Sequence, residues 1–123
     1  MRLTFLGKES VPDQSPTLYA GGTSYVVQGW IVTDPRVLTQ LDIADDETVV
    51  EVPPRLMEHL AKDDLFGEVS NMVPPIVFVL ENGNYVMKGK RVTDTEALSQ
   101  MNIPDHETCI EVSKTAMAVL VGG

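Results

Sequence analysis

The chain repeats itself. At an offset of 60 residues, Tyr25-Val26-Val27-Gln28-Gly29-Trp30 faces Tyr85-Val86-Met87-Lys88-Gly89-Lys90. Val32-Thr33-Asp34 faces Val92-Thr93-Asp94, and Leu38 and Gln40 face Leu98 and Gln100. Ile43, Asp45, Glu47, Thr48, Glu51 and Val52 recur as Ile103, Asp105, Glu107, Thr108, Glu111 and Val112, and no gap is needed from Tyr25 to Leu60. Two copies make a fused pair, not a solenoid, which needs three or more units. A unit of about 60 residues buries only roughly 60% of its unfolded surface and is marginal alone. Two such units are expected to share one body with pseudo-twofold symmetry. We divide the chain into repeat unit 1 (1–61), a linker or leading strand of the second unit (62–75), and repeat unit 2 (76–123).

The local signals give each unit the order β-β-α-β-α. Thr17–Ala20 and Ile76–Leu80 are β-prone and run into Gly21-Gly22 and Asn82-Gly83, two-residue hairpin chemistry. Tyr25–Val32 and Tyr85–Val92 are the return strands. Asp34 before Pro35, and Asp94, read as helix N-caps. Short helices follow, with Val37, Leu38 and Leu41, or Ala97, Leu98 and Met101, as apolar stripes. Thr48–Val52 and Thr108–Val112 are third strands. A last helix begins near Pro54 or Ser113, with Leu56, Met57 and Leu60, or Ala116, Met117 and Leu120, facing inward. Leu3–Leu6 is a candidate leading strand. The expected fold class is α+β: two pseudo-symmetric ββαβα repeats in one compact body, with a mainly antiparallel sheet and short helices.

The net charge is −9 and it is shared between the copies. An acidic surface argues against direct nucleic-acid or anionic-membrane binding and favours a protein partner. No apolar run approaches the roughly 18 residues of a membrane span, and Met1–Gly7 is too short an apolar stretch for a leader. Cytoplasmic residence is the expectation. Cys109 is the one cysteine, so neither a disulfide nor a thiolate metal site is expected.

The candidates for chemistry have structural readings. The acidic stretch Asp42–Val52 lacks the central glycine of a calcium loop and quickly becomes an apolar strand. His59 lies beside Glu58 with no second histidine at ligand spacing. His106 and Cys109 face Asp46 and Val49 in the other copy, and interchange of Cys with Val indicates a small packed side chain. No nucleophile elbow, phosphate loop or dinucleotide fingerprint occurs. We expect no catalytic residues, metal or cofactor.

The return strand differs most between the copies. Val26, Gln28, Trp30 and Val32 share one face by period-2 alternation, and their counterparts include Lys88 and Lys90. Trp30 with Gln28 reads as a contact anchor. Lys88, Lys90 and Arg91 form the one basic spot. Alternatively, Gly29 and Gly89 mark a bulge that buries Trp30, or this face is the seam between copies. The candidate binding residues are Gln28, Trp30, Lys88, Lys90 and Arg91.

The segment from Tyr25 to Pro35, with Asp45-Asp46-Glu47-Thr48-Val49-Val50-Glu51-Val52-Pro53, resembles a group of small uncharacterised actinobacterial proteins about the size of one unit. Ile103–Thr108 is similar to the same signature. The group is often encoded beside helix-turn-helix regulators of the Xre type. The resemblance brings no activity or catalytic residue; it implies a role alongside a transcription regulator. The leading expectation is a non-enzymatic protein-interaction module, as a pseudo-symmetric monomer or a homodimer. The alternative is a small-ligand-binding protein using the groove between the repeats.

Overall fold

The computed structural model describes residues 1–9 and 16–122. Among them run β1 (Thr4–Lys8), β2 (Thr17–Gly21), β3 (Ser24–Ile31), α1 (Pro35–Leu38), β4 (Glu47–Val52), a 3₁₀ helix (Pro54–Asp63), β5 (Ile76–Val79), β6 (Tyr85–Arg91), α2 (Thr95–Ser99), β7 (Glu107–Ser113) and α3 (Lys114–Leu120). The fold is α+β, a mainly antiparallel seven-stranded sheet with short helices.

The return strands pair across the repeat. β3 runs antiparallel to β7 from Ser24–Ser113 to Trp30–Glu107. β6 runs antiparallel to β4 in matching register, from Tyr85–Val52 to Lys90–Glu47. The return and third strands of the same copy meet only at their tips, Trp30–Glu51 and Ile31–Val50 in the first and Lys90–Glu111 and Arg91–Ile110 in the second. These four strands form a closed circuit of pairings. β2 and then β1 extend it beside β3, and β5 extends it beside β6.

The alternation sends Tyr25, Val27, Val50, Val52, Tyr85, Met87, Ile110 and Val112 into the main core. Leu56, Met57 and Leu60 of the 3₁₀ helix and Met117 and Leu120 of α3 pack there too. Each fully buried side chain of this size contributes roughly 1.5–3 kcal/mol of transfer free energy. A smaller cluster on the opposite face joins Val37 of α1 to Val49 and Val86, with Leu38, Leu41, Ile43, Phe78 and Leu80 against it.

Gly29 and Gly89 lie where strands of one copy cross. A Cβ at Gly29 would stand 2.6 Å from Glu51 O, and one at Gly89 2.7 Å from Glu111 O. The β3–β7 register runs unbroken through Gly29. Close backbone approach, not a bulge, requires the glycine.

Four local expectations change. Gly21 stays in β2 opposite Ser24, so the first turn is Gly22-Thr23, with Gly22 at φ 58°. The second hairpin is one residue longer: Leu80 N donates to Asn84 O and Gly83 N to Leu80 O, both at 2.9 Å, while Gly83 takes φ 89°. That is a three-residue loop closed by a left-handed glycine, not a two-residue Asn-Gly turn. The last helix of the first copy is 3₁₀, whereas α3 is α-helical. Ser113 Oγ caps α3 by accepting from Ala116 N at 3.1 Å, and Pro53 supplies no side-chain cap. Finally, residues 64–75 form no strand. The first copy has a leading strand and the second does not.

Candidate functional site

The five candidate residues do not converge on one surface. Gln28 is buried. Its Nε2 donates to Glu107 Oε1 at 2.6 Å and to Asn102 O at 2.9 Å. Lys88 does the same work 60 residues on: Nζ donates to Asp42 O at 2.8 Å and lies 3.6 Å from Glu47 Oε1. Both side chains reach the other copy's helix-to-strand turn and first strand glutamate, so they fasten the two repeats together. The substitution between copies therefore preserves a role.

Trp30 is half-buried at the seam, opposite Glu51 on one side and Glu107 on the other. Lys90 is exposed in the matching place, opposite Glu111 and Glu47. Arg91 is exposed, and its N–H donates to Asp46 O at 2.8 Å. The basic spot is thus interleaved with carboxylates. The repeated glutamates also bind across the copies: Asn84 Nδ2 donates to Glu51 and Ser24 Oγ to Glu111, at 2.7 and 2.8 Å.

One position in this pattern is strained for partners. Glu47 Oε1 accepts from Ala44 N at 3.0 Å. Pro104 stands opposite Ala44 and has no N–H to give. Gln28 Oε1 and Glu107 Oε2 are buried without a hydrogen-bond partner. His106 Nε2 is 3.7 Å from Glu107 Oε2, an ion-pair separation that is too long for a hydrogen bond.

The residues considered for catalysis are each engaged elsewhere. His59 Nε2 is 2.7 Å from Glu9 Oε2, and Lys62 Nζ is 3.1 Å from His59 Nδ1. The hydrogen bond from His59, then that from Arg55, hold the Glu9 carboxyl below its ordinary value. Burial pushes the Cys109 thiol up to about 11, so it is a neutral thiol near pH 7. Among the described residues no group of three or more His, Cys, Asp or Glu side chains could hold a metal ion. No helix among them is long and apolar enough to cross a membrane.

The Asp caps form as expected, and they open onto two unlike grooves. Asp94 accepts from Ala97 N at 2.9 Å, and Asp34 from Arg36 N at 2.9 Å. Beside α2, the segment Met1–Leu3 lies in the groove toward β2. Its ammonium is 3.0 Å from Asp94, Gln100 Nε2 donates to Met1 O at 2.9 Å, and Leu3 N donates to Gln100 Oε1 at 2.9 Å. Beside α1, the corresponding groove is an open cleft of about 480 Å³ lined by Asp34, Arg36, Val37, Gln40, Phe78 and Leu80, among others. Arg36 takes up the cap there: its Nη2 is 3.2 Å from Asp34 Oδ2. That side-chain hydrogen bond, with the backbone one, holds the Asp34 carboxyl below its ordinary value.

The sequence suggests a groove between the repeats, but none of the residues that line this cleft is among the candidate binding residues. The signal available was the weakness of the repeat before residue 25, where Leu65-Phe66-Gly67 opposes Phe5-Leu6-Gly7 without becoming a strand. No family model, curated protein or solved structure matches the chain.

Proposed function

We propose that the chain is a non-enzymatic protein-interaction module that resides in the cytoplasm and acts beside a helix-turn-helix transcription regulator. One observation carries the interaction reading: the second repeat ends the sheet in an uncovered, apolar edge. Among the described residues β5 pairs with β6 alone. Among the described residues, four of the seven exposed large apolar side chains are Phe66, Met72, Val73 and Val79, all on β5 or the segment leading to it. On the first repeat, β1 covers the same position. Sheet edges left open and apolar are pairing surfaces.

The regulator as partner rests on the resemblance of the Tyr25–Pro53 signature. It is tested by co-expression with an Xre-type regulator of the same genome, followed by native mass spectrometry. A complex at micromolar concentration, lost on Val79→Glu, is expected. No complex, or one indifferent to Val79→Glu, overturns the reading.

The open cleft favours a second reading, small-ligand binding between the repeats, because α1 belongs to the first copy and Phe78 and Leu80 to the second. A thermal-shift screen of metabolites tests it, with Gln40→Trp, which would fill the cleft from its exposed wall, abolishing any shift.

A further inference from the structure

The molecule contains its own example of how an extended segment docks beside one of these helices. Gln100, at the C-cap of α2, reads the backbone of Met1–Leu3 in both directions, donating to a carbonyl and accepting from an N–H, each at 2.9 Å. The segment then continues as β1, antiparallel to β2. It crosses so close to Gly21 that a Cβ there would stand 2.8 Å from Met1 Sδ and 3.0 Å from Leu3 Cδ2.

The other half repeats the receiving parts. Gln40 is the counterpart of Gln100, and its Nε2 donates to Arg36 O at 2.7 Å as that of Gln100 donates to Glu96 O at 2.8 Å. Phe78 and Leu80 line the groove beside it, and Val79, on the same strand end, is 45% exposed. β5 takes the place of β2, and nothing among the described residues pairs with its outer side.

We propose that this groove and the free side of β5 receive an extended segment of a partner protein, added antiparallel to β5 as β1 is added to β2. This rests on the protein-interaction reading above and gives it a mode of recognition. Backbone hydrogen bonds to an edge strand supply affinity, and alternate side chains supply specificity. The segment is apolar at alternate positions, to meet Phe78 and Leu80 on the groove face, and basic rather than acidic in its other side chains. Charge selects this chemistry. The chain carries −9, Asp34 is already neutralised by Arg36, and Glu81 is left on the rim. The same charge sets two copies of this chain against each other at that edge. The chain's own docked segment has the matching character: Met1-Arg2-Leu3-Thr4-Phe5-Leu6-Gly7-Lys8 has two basic residues and no acid.

An N-acetylated synthetic peptide of that eight-residue sequence is the probe, titrated into the isotope-labelled full chain and followed by amide NMR. We expect saturable shifts confined to residues 77–82 and the Gln40 side chain, with β2 and α2 unmoved. Gln40→Ala should weaken binding at least fivefold, and replacing Leu3 and Phe5 of the peptide by Asp should abolish it. No shift at millimolar peptide, or shifts confined to α2 and β2, overturns the proposal. Concentration-dependent shifts of residues 77–82 without peptide make a second copy the occupant and also overturn it. If the peptide fails while Val79→Glu still disrupts the regulator complex, strand addition falls and the interaction surface stands. If both fail, both readings fall.

Discussion

The two repeats are alike where they hold each other and unlike where they face outward. At the seam, Gln28 and Lys88 reach the opposite copy's turn carbonyl and glutamate in the same way. Ser24 and Asn84 likewise reach Glu111 and Glu51. At the rim, one repeat has a strand over its edge and a segment clasped by Gln100, and the other has a bare edge and an open cleft. Sequence differences at matched positions are therefore a poor guide to function here. Trp30 and Gln28 differ from Lys90 and Lys88, yet the seam uses both pairs. The asymmetry that matters is an element present once.

The strongest way to break the likeness at the seam is at the crossings. Gly29→Ala and Gly89→Ala each drive a Cβ against backbone oxygen, at 2.6 and 2.7 Å. Backbone cannot swing aside as a side-chain end can, so each change should cost about 3 kcal/mol, the upper part of the range for overpacking. Urea unfolding of the two variants is the measurement. If one costs less than half of the other, the crossings are not equivalent.

Gln28 and Lys88 provide the next test. Gln28→Ala takes from buried Glu107 the donor of a 2.6 Å hydrogen bond, and should cost about 2 kcal/mol. Lys88→Ala should cost well under half of that, because Glu47 keeps Ala44 N and is partly exposed, where ion pairs contribute about 0–1 kcal/mol. Gln28→Lys copies the second repeat into the first and should be far milder than Gln28→Ala. If it is equally destabilising, the two side chains do not share a role.

These comparisons also show what could be read beforehand. Turn residues, caps and alternation are local, and they placed every strand of the repeats and both Asp caps. Strand exchange is not local. Tyr25–Trp30 presents the same faces to Thr48–Val52 as to Thr108–Val112, because the two third strands share their pattern, and alternation cannot separate a partner from its copy. The extra residue in the second hairpin was hidden by the strength of Asn82-Gly83 as a turn signal. Lys88 and Lys90 make the matching face look wet, and alternation alone does not separate a wet face from a seam between the copies. The burial of Gln28 depends on the other copy's Asn102 and Glu107, which only the exchange brings to it. A groove between the repeats follows from the duplication, but its place and lining do not, since it opens where the second copy fails to make a strand.

A contact without a twin comes next in size. Tyr25 Oη donates to Asp63 Oδ2 at 2.7 Å, and Lys114 Nζ lies 2.9 Å from the same oxygen. This ties the end of the 3₁₀ helix to the start of α3. Tyr85 has no such carboxylate by sequence, since Gly123 is the counterpart of Asp63. The hydrogen bond from Tyr25, then that from Lys114, hold the Asp63 carboxyl below its ordinary value. A depressed folded-state pKa stabilises the fold above the unfolded value near 3.9, and that contribution is lost as pH falls through the folded value. Asp63→Asn should therefore cost about 1 kcal/mol at pH 7 and progressively less as the pH is lowered below about 4. Stability of the variant and parent measured from pH 7 to pH 2 should converge. A constant difference would mean that the ionised carboxylate is not what Tyr25 and Lys114 hold.

The smallest expected effect bears on chemistry. Cys109 and Val49 occupy matched positions and are both buried, at 5% and 4% exposure. Burial pushes the thiol to about 11, so at pH 7–9 it is protonated and enclosed, and a thiol reagent should react with it only when the chain opens. Cys109→Val makes the second repeat match the first by a small increase in side-chain size that the matched position already accepts, and hydrophobic exchanges of this kind cost less than about 1.5 kcal/mol. We expect a change near zero in urea unfolding, and native-state labelling that slows in step with global stability. A loss well above that bound, or labelling much faster than global opening allows, would show that this thiol is held for something other than packing. It would also mark a second place where the repeats part.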